Sequence, residues 1–290
     1  MTRGGALVTG AGGGLGREVA LRLGALGHTV HVTDVDQALA EAVAEEVGNG
    51  AFASGYDVRD ADAAPELAAR TVRQAGSLAL WVNNAGVLFT GPMWEQSAQT
   101  RQLMFDVNVL GTTHGMAAAL GVMTKAGRGH VVNIVSLAGL SAVPGEAVYA
   151  GTKHAVMGLS VSTMLDLRIA GLRDVHVSCI CPDDMWTPML YDKLDDPGAS
   201  MSFSGVLLEP GDVADVVARV VRRPRPVTAV PRWRGSMARA FDLSPRLTLL
   251  GGPLVVKGAV KQQRRMRRRL LDDPARVAAA LRMRRGAPDA

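Results

Sequence analysis

The feature that most constrains the fold is a regular alternation of short apolar runs with longer helical stretches, which continues from Gly4 to Val230. The apolar runs predicted as strands are residues 4–9, 29–34, 51–56, 78–82, 130–135, 175–180 and 227–230. A helical periodicity predicts helices over residues 15–26, 37–47, 61–74, 97–109, 111–126, 147–170 and 212–222. This alternation predicts an α/β protein with a doubly wound parallel sheet of seven strands, covered by helices on both faces.

The alternation stops near Pro231, and the charge changes close to the same place. Residues 1–218 contain 13 Lys and Arg against 23 Asp and Glu, whereas residues 219–290 contain 19 against 4. An acidic body is therefore followed by a strongly basic segment. We predict one domain over residues 1–231 and a basic C-terminal extension over residues 232–290.

The composition excludes several classes of protein and of site. Cys179 and Cys181 lie in one apolar run, and two thiols without other ligands predict neither a disulfide framework nor a metal site. The six histidines show no ligand spacing, so no metal is expected. No run of about 18 apolar residues is present to span a membrane as a helix. Because the N-terminus also lacks a signal-peptide core, we expect a cytoplasmic protein.

A glycine cluster, TGAGGGLG, follows the first predicted strand and opens the first predicted helix. Backbone N–H groups and the helix dipole at such a turn can hold a pyrophosphate. Gly10, Gly14 and Gly16 would let the backbone and the phosphate approach closely. The spacing is G-x-x-x-G-x-G rather than G-x-G-x-x-G, and a flexible turn is the alternative. The strand–turn–helix context favours a dinucleotide site.

Asp34 ends the second predicted strand, 24 residues after Gly10. An acidic side chain at this place accepts hydrogen bonds from the ribose hydroxyls of adenosine. The same carboxylate would repel a 2′-phosphate, and Val35 supplies no cation to offset that repulsion. The sequence therefore predicts NAD rather than NADP. The alternative is that Asp34 and Asp36 only cap the next helix.

Polar residues also follow other predicted strands, at the edge of the sheet where a ligand crevice is expected. Asp57 follows the third strand, and the segment Asn83–Gly86 (NNAG) ends the fourth. Asn108 lies inside a helical stretch, where a locally bonded Asn is the alternative to a functional one. These positions predict further contacts at the same crevice.

Tyr149 and Lys153 are spaced by one helical turn, and Ser136 precedes Tyr149 by thirteen residues. An i, i+4 pair shares one helix face, so the ammonium can lie beside the phenol. An unperturbed Tyr has a pKa near 10, and a nearby cation favours the phenolate and lowers that pKa. Taken alone, the pair is typical of a solvated helix face. A dinucleotide site upstream makes an acid–base centre the better interpretation.

The motifs together resemble those of the short-chain dehydrogenase/reductase family. TGAGGGLG, NNAG, Asn108, Ser136 and Tyr149-x-x-x-Lys153 occur in the family's order, and the resemblance covers about residues 4–231. It implies a single Rossmann-like domain that forms homodimers or homotetramers. It also implies an NAD(P)-dependent oxidoreductase acting on CH–OH groups, in which the cofactor carries the hydride.

The resemblance also implies roles for individual residues. Tyr149 would be the general acid/base, Lys153 would lower its pKa and bind the nicotinamide ribose, and Ser136 would position the reacting oxygen. Asn108 would hold the water that connects Lys153 to solvent. The implied cofactor contacts are Gly10, Gly14, Leu15, Gly16, Asp34, Asp57, Val58, Asn84, Ala85, Gly86, Tyr149, Lys153, Pro182, Met185 and Thr187.

The chain departs from the family pattern at Asp183, where Gly commonly follows Pro182. An extra carboxylate near the nicotinamide could change the loop geometry or the cofactor affinity. Residues 183–208 are predicted to form an irregular substrate lid, called the lid below. Its many apolar residues, together with those after Ser136, predict an apolar substrate such as a steroid, a retinoid-like or a long-chain compound. The alternative is that these side chains only pack the lid.

The basic extension predicts an amphipathic helix with Lys257, Lys261, Arg264, Arg265 and Arg268 on one side. Val256, Ala259, Met266 and Leu270 lie on the other side, interrupted by Gln263. Such a helix could dock on the acidic body or on a neighbouring subunit. It could instead lie on an anionic membrane through residues 247–271. Nucleic-acid binding is disfavoured, because the arginine-rich run lacks aromatic residues for base stacking.

Two functions from different classes remain open at this stage. The first is an active NAD-dependent oxidoreductase of apolar alcohols or ketones, which the complete Asn–Ser–Tyr–Lys set favours. The second is a catalytically weak dinucleotide-binding scaffold whose basic extension mediates membrane or subunit attachment. Asp183 and the extension motivate the second hypothesis.

Overall fold

The computed structural model describes residues 3–271, and residues 272–290, the end of the predicted basic extension, lie outside them. Its seven strands are β1 (Gly5–Thr9), β2 (Thr29–Asp34), β3 (Phe52–Gly55), β4 (Leu78–Asn83), β5 (Gly129–Ile134), β6 (Val175–Pro182) and β7 (Val227–Val230). They form one sheet in the order β3-β2-β1-β4-β5-β6-β7, and every neighbouring pair is parallel. The predicted doubly wound parallel sheet is confirmed.

Ten α-helices lie in the described residues. They are α1 (Gly14–Ala25), α2 (Gln37–Val47), α3 (Ala63–Ala75), α4 (Ala98–Phe105), α5 (Thr112–Ala126), α6 (Ala147–Ile169), α7 (Pro188–Tyr191), α8 (Pro210–Arg222), α9 (Arg232–Asp242) and α10 (Pro245–Leu271). Successive strand residues point to opposite faces of the sheet. In β1, Ala6 and Val8 therefore pack with α1, α2 and α8, while Leu7 packs with α3, α5 and α6. Both faces are covered, so the strands are almost wholly apolar.

The strand order fixes where a ligand can bind. The chain runs outward from β1 to β2 and β3, then returns to β4 on the other side of β1. The loops after β1 and β4 therefore diverge and leave a crevice at the carboxyl ends of these strands. In open α/β sheets, ligands bind at this switch point.

Two segments differ from the secondary structure predicted from the sequence. Residues Asp106–Gly111 form a π-helical turn between α4 and α5, and Asn108 lies in it. Within the lid, predicted as irregular, Pro188–Tyr191 is α7 and Pro197–Phe203 is a 3-10 helix. Both lid helices begin near a proline, which suits the first turn because its missing N–H has no partner there. Four to seven residues are too few to show a helical period in the sequence.

The C-terminal helices pack against the body. A Cβ at Gly235 of α9 would lie 2.2 Å from the Ala229 Cβ of β7, so α9 lies directly on the edge strand. In α10, Met266 packs against Leu190 and Phe203 of the lid. The basic residues Lys257, Lys261, Arg264, Arg265 and Arg268 are exposed.

Polar contacts fix α10 on the lid as well. Gln263 Nε2 donates to Asp196 O at 2.8 Å and to Lys193 O at 3.1 Å. Arg267 forms an ion pair with Asp195. The structure thus shows the docking alternative for the extension, while the side chain of Leu270, predicted on the apolar face, lies outside what is described. No helix within residues 3–271 is both long and apolar enough to cross a bilayer.

Candidate functional site

A cleft of about 740 Å³ opens at the carboxyl ends of the strands, at the predicted switch point. All predicted site residues except Gly16 and Asn108 line it: Gly10, Gly14, Leu15, Asp34, Asp57, Val58, Asn84, Ala85, Gly86, Ser136, Tyr149, Lys153, Pro182, Met185 and Thr187. The fold therefore brings together residues from the first strand to the lid. A single elongated site contains both the predicted dinucleotide contacts and the predicted acid–base centre.

The glycine turn after β1 is shaped for close approach. Gly10 has a φ of +61°, and a Cβ there would lie 2.7 Å from the Ala85 Cα. Asn84 Nδ2 donates to Thr9 O at 3.0 Å and to Gly10 O at 2.8 Å, which ties the turn to the end of β4. Gly16 is buried beneath the turn, since a Cβ there would lie 2.2 Å from Gly10 O. Gly16 therefore permits the turn to pack on α1 rather than lining the cleft.

The turn fits a phosphate group on two grounds. A Cβ at Gly13 would meet no atom within 4 Å, so open space lies in front of the turn. The first turn of α1 begins at Gly14, and its free N–H groups and dipole favour an anion there. The residues present at this end of the cleft therefore fit the pyrophosphate of a dinucleotide.

The Asp34 carboxylate accepts a hydrogen bond from the backbone of the glycine turn. This carboxylate accepts hydrogen bonds from Gly12 N at 2.8 Å and from Asp36 N at 3.1 Å, and it remains in the cleft wall. Capping of α2 falls instead to Asp36, whose side chain accepts from Leu39 N at 3.1 Å. The capping alternative thus holds for Asp36 and not for Asp34.

The rest of the adenosine end carries little free positive charge. Val35 follows Asp34 and is 64% exposed, so the side chain at this position is apolar and supplies no cation. Arg59 lines the cleft, but its Nε lies 3.0 and 2.9 Å from the two Asp57 oxygens. The hydrogen bonds from Arg59 lower the pKa of Asp57. Arg59 is therefore committed to Asp57 and is not free to bind a phosphate.

Ser136 has a strained backbone. Its φ of +113° and ψ of 157° lie outside the regions favoured by L-residues with side chains. Its Oγ accepts a hydrogen bond from Ala138 N at 3.1 Å, and the following residues form a short 3-10 turn. Strain of this kind costs about 1–3 kcal/mol and is concentrated at active sites.

Lys153 lies beside Tyr149 on α6, as the spacing predicts. Its Nζ is 5.5 Å from the centroid of the Tyr149 ring and donates to Ile134 O at 3.1 Å. Burial lowers the pKa of Lys153 to about 8, because desolvation disfavours the charged form. The ammonium is therefore held beside the phenol by the end of β5.

The pKa of Tyr149 is shifted in the direction opposite to the one expected from the Tyr–Lys pair. Burial raises it, and the carboxyls of Glu146 and Asp184 raise it further, while a hydrogen bond with Ser136 lowers it. These carboxyls were not anticipated from the sequence. The phenol is consequently protonated at neutral pH, which suits a proton donor.

Asn108 supports the site from below the cleft. Its Oδ1 accepts from Val87 N at 2.8 Å, and its Nδ2 donates to Val87 O at 2.9 Å and to Thr152 Oγ1 at 3.1 Å. Both polar atoms of the side chain are therefore occupied within the protein. Asn108 connects the loop after β4 to α6, and its predicted role in holding a water stays a prediction.

Asp183 stands where the family pattern has Gly, and the structure explains how it is accommodated. Its φ is not positive, so the backbone does not require Gly at this position. The Asp183 carboxylate is buried and accepts from Arg234 Nε of α9 at 2.8 Å. A Cβ at Gly205 would lie 2.4 Å from Asp183 Oδ2, so the lid closes tightly over this ion pair. The two unusual features of the sequence, the carboxylate and the basic extension, are partners.

Sequence reasoning missed two carboxyls beside Tyr149. Glu146 is 3% exposed, and its Oε1 accepts a hydrogen bond of 2.5 Å from Ser202 Oγ of the lid. Asp184 is half-buried, and Ser202 also hydrogen-bonds its side chain. The only local signal was a pair of charged residues in otherwise apolar loops, PGEAVY and CPDDMW.

A second cavity, of about 190 Å³, adjoins the cleft at Ser136. Its apolar wall consists of Leu137, Ala138 and Val143 from the loop after Ser136 together with Met237, Ala238, Phe241, Val255 and Val256 from α9 and α10. Glu146, Asp183 and Asp184 are shared between this cavity and the cleft. The C-terminal helices therefore form part of the space next to the acid–base centre.

The apolar residues of the lid divide between the two roles foreseen for them. Leu190 and Phe203 are buried and pack the lid together with Met266. Met185 and Met189 line the cleft, and Met201 lines the second cavity. The pocket is thus apolar on its walls and carries carboxyls at its base.

The cysteines lie away from this chemistry. Cys179 and Cys181 are buried and free in β6, and burial raises the pKa of Cys179 to about 11. Within residues 3–271, no group of three or more His, Cys, Asp or Glu side chains is arranged to hold a metal ion. Titratable groups that line the cleft beside Ser136 include Tyr149, Lys153, Glu146 and Asp184.

Comparison with known proteins agrees with this arrangement. The family described as short chain dehydrogenase matches residues 5–198. A diacetyl reductase [(S)-acetoin forming] of Staphylococcus epidermidis is 32% identical over 232 residues, covering 73% of this chain and 89% of the relative. A 3-oxoacyl-[acyl-carrier-protein] reductase of Staphylococcus aureus is 33% identical over 221 residues, covering 73% and 88%.

A solved structure is also similar. The crystal structure of a short chain dehydrogenase/reductase from Burkholderia phymatum in complex with NAD superposes with a TM-score of 0.77 at 27% identity. The match covers 85% of this chain and 95% of that one.

Proposed function

The chain belongs to the short-chain dehydrogenase/reductase family and is an oxidoreductase acting on CH–OH or keto groups, and from this premise we propose that it transfers a hydride between NAD(H) and an apolar secondary alcohol or ketone. The observation that supports the proposal is the meeting of Ser136, Tyr149 and Lys153 in the same cleft as a glycine turn whose residues fit a dinucleotide.

A nicotinamide cofactor, when bound, supplies or accepts the hydride. In reduction, the Tyr149 phenol donates its proton to the substrate oxygen, and in oxidation the phenolate takes it back. The Ser136 hydroxyl holds that oxygen next to the phenol. Lys153 carries positive charge beside Tyr149 and favours the phenolate that forms when the proton leaves.

NAD is proposed over NADP because of the charge at the adenosine end. Asp34 presents a carboxylate in the cleft wall, Val35 adds no cation and Arg59 is paired with Asp57. A 2′-phosphate placed there would face a like charge without compensation. Fluorescence titration with NADH and NADPH tests this preference, and tighter binding of NADPH would refute it.

The proposed substrate has an apolar body, whether steroid, retinoid-like or long-chain. Support comes from the apolar walls of the second cavity, which adjoins Ser136 and is lined by residues of α9 and α10. A panel of hydrophobic alcohols and ketones, assayed with NAD(H) by absorbance, tests the reaction. A Tyr149→Phe protein that turned substrates over at the normal rate would refute the role of Tyr149.

A catalytically weak scaffold is less well supported than an active enzyme. The scaffold hypothesis was motivated by Asp183 and by the basic extension, yet Arg234 of that extension neutralises Asp183. The extension also contributes wall residues next to Ser136. Tight NAD binding without turnover of any substrate in the panel would favour the scaffold.

We propose a homo-oligomer formed through α4 and α6. These neighbouring helices and the π-helical turn expose large apolar side chains: Phe105, Leu110, Leu159, Leu165 and Ile169. An apolar patch of this kind marks an interaction surface. Light scattering should give the mass of a dimer or tetramer, and Leu165→Glu should lower it. A monomeric mass for the unaltered protein would contradict the proposal.

Attachment to an anionic membrane is a second proposal, supported by the outward side of α10. Leu250 and Leu254 are 78% and 72% exposed, and the exposed Lys257 and Lys261 follow them along the helix. Each cation near an anionic surface contributes about 1 kcal/mol. Truncation at Pro231 would also remove the cavity wall, so point variants are the better test.

Co-sedimentation with anionic vesicles should be lost in Leu250→Ser/Leu254→Ser and reduced in Lys257→Gln/Lys261→Gln. Trp94→Ser is the control, because Trp94 is apolar and 81% exposed but lies outside α10. Equal sedimentation of all variants would refute the proposal.

A further inference from the structure

Glu146 and Asp184 form a carboxyl pair that the proposed mechanism does not use. Ser202 Oγ donates to Glu146 Oε1 at 2.5 Å, and its side chain also hydrogen-bonds Asp184. The hydrogen bond from Ser202 favours the ionised form of each carboxyl, and a hydroxyl has one proton, so it can donate to only one of them at a time. Glu146 and Asp184 thus compete for a single donor, Ser202, at the base of the pocket.

The local structure does not require a carboxyl at position 146. Glu146 is the N-cap residue of α6, but its side chain makes no capping hydrogen bond. Ser, Thr, Asp and Asn are the residues preferred at this position, because their short side chains reach the free N–H groups. The Glu146 side chain turns instead towards Ser202 and the pocket. The orientation of the Glu146 side chain is therefore explained by its contact in the pocket and not by capping of α6.

The pair has no cation of its own within residues 3–271. Arg234 is committed to Asp183, and Lys153 donates to Ile134 O on the other side of Tyr149. Lys193 stabilises the Glu146 anion and Asp196 destabilises it. Arg234 stabilises the Asp184 anion, while Glu146 and Asp183 destabilise it. Neither Glu146 nor Asp184 forms an ion pair in this part of the chain. A buried carboxylate without a cation is costly, and such groups are normally paired.

The pair is also placed where a substrate must pass. Glu146 and Asp184 line both the cleft that holds Tyr149 and the apolar cavity that adjoins Ser136. Both carboxyls are close enough to Tyr149 to raise its pKa. A group bound to them would therefore lie next to the atom that receives or loses the hydride.

We propose that the carboxyl pair binds an ammonium group of the substrate, next to its reacting carbon, so that the substrate is an amino alcohol or amino ketone with an apolar body. This inference rests on the proposed function, because it assigns the substrate class of the same site. An ammonium brings the missing positive charge and three donors, which two carboxyls and a hydroxyl can accept. The apolar walls from α9 and α10 then hold the rest of the molecule.

Charge decides between an ammonium and a neutral hydroxyl. A hydroxyl would add one more dipole to the pocket and leave the charge of Glu146 uncompensated. An ammonium compensates that charge and favours the ionised form of Glu146, so its binding lowers the pKa of that carboxyl.

The test uses three alcohols that differ in one group: 2-amino-1-phenylethanol, 1-phenylethane-1,2-diol and 1-phenylpropan-1-ol. Their ammonium, hydroxyl and methyl groups occupy the same position on one apolar body. Binding to the full chain is measured by calorimetry at pH 7.5, both alone and with NADH, which cannot react with an alcohol. We expect the amino alcohol to bind about tenfold or more tightly than the other two, which is the size of effect of one charge-assisted contact.

Variants assign the preference to the pair. Glu146→Gln and Asp184→Asn keep the shape and should each reduce the ammonium preference to less than about threefold, since they remove the charge-assisted contact. Glu209→Gln, an exposed carboxylate outside both cavities, is the matched control and should keep it. Thermal unfolding confirms that each variant is folded, and Ser202→Ala replaces either variant that is not.

The outcomes separate this inference from the proposed function. Equal binding of the three alcohols, or a stronger preference for the diol, overturns the ammonium site. A preference that survives in Glu146→Gln and Asp184→Asn overturns its assignment to the pair. Because binding is measured without turnover, a protein that prefers the amino alcohol but oxidises no substrate refutes the proposed function and leaves the site standing.

Discussion

The two halves of the cleft are built in different ways. The cofactor half, from the glycine turn to Asn84, consists mainly of backbone, and the cation that lines it, Arg59, is paired with Asp57. The substrate half, around Ser136, Tyr149, the lid and α9–α10, consists of side chains from distant parts of the chain. It contains Glu146, which is buried, and Asp184, which is half-buried, and neither forms an ion pair within residues 3–271.

The difference shows which kind of contact shapes each half of the cleft. In the cofactor half, close approach depends on positions such as Gly10, where a Cβ would collide with Ala85. In the substrate half, the contacts are between side chains: Asp183 with Arg234, 51 residues apart, and Glu146 with Ser202, 56 residues apart. All four of these residues lie outside the strands of the sheet. The substrate half can therefore acquire a new specificity while the cofactor half stays the same.

The largest effect that separates the two halves is expected for Tyr149→Phe. The change removes the proton donor and should lower kcat by about 10²–10⁴-fold, the usual contribution of general acid–base catalysis. The glycine turn and Asp34 are untouched, so NADH binding should change little. Steady-state rates and fluorescence titration of NADH measure the two properties. A large loss of NADH affinity would show that the halves are not separate.

The next effect concerns the ion pair that connects the extension to the substrate half. Arg234→Met leaves the buried Asp183 carboxylate without its partner, which should destabilise the fold by about 3–5 kcal/mol. Chemical denaturation measures the loss. Arg232→Met, an exposed arginine on the same helix, is the control and should be nearly neutral. Adding Asp183→Gly to Arg234→Met should restore most of the stability, because no unpaired charge remains.

The same contrast explains what the sequence could predict. The alternation of strands and helices and the glycine turn with Asp34 follow from local patterns, and the structure places the turn and Asp34 at the cleft. The ion pair of Asp183 with Arg234 could not be predicted from the sequence, because it depends on the packing of α9 against β7. Glu146 and Asp184 could not be recognised from the sequence either, since only the folded lid brings Ser202 to them. The predicted direction of the Tyr149 pKa shift was wrong, because burial of the phenol and, after it, the carboxyls of Glu146 and Asp184 raise the pKa, and none of these follows from the Tyr–Lys spacing.

A smaller effect is expected in the cofactor half, where we propose that the charge of Asp34 sets the preference for NADH over NADPH. Asp34→Ser with Val35→Arg replaces the carboxylate by a cation and should shift the NADPH-to-NADH affinity ratio by about 100-fold, or ~2.7 kcal/mol. Fluorescence titration with both cofactors measures the ratio. The binding of the substrate alcohols should stay unchanged. A ratio that did not move would show that Asp34 acts only as a brace for Gly12.

The smallest effect tests the unpaired charge of the substrate half through its pH dependence. Burial raises the pKa of Glu146 to about 7 from an ordinary value of 4.5, so the folded protein holds a proton that the unfolded chain has already released. The stability contributed by this carboxyl is complete below pH 4.5 and is lost as the pH rises towards 7. Glu146→Gln removes this loss, so between pH 4.5 and 8 the variant should lose less stability than the unaltered protein, by on the order of 2 kcal/mol. Denaturation curves at several pH values measure the difference, with Glu209→Gln as the exposed control. Parallel pH profiles for all three proteins would mean that Glu146 is ionised as freely in the folded protein as in the unfolded chain, and that the two halves of the cleft do not differ in this respect.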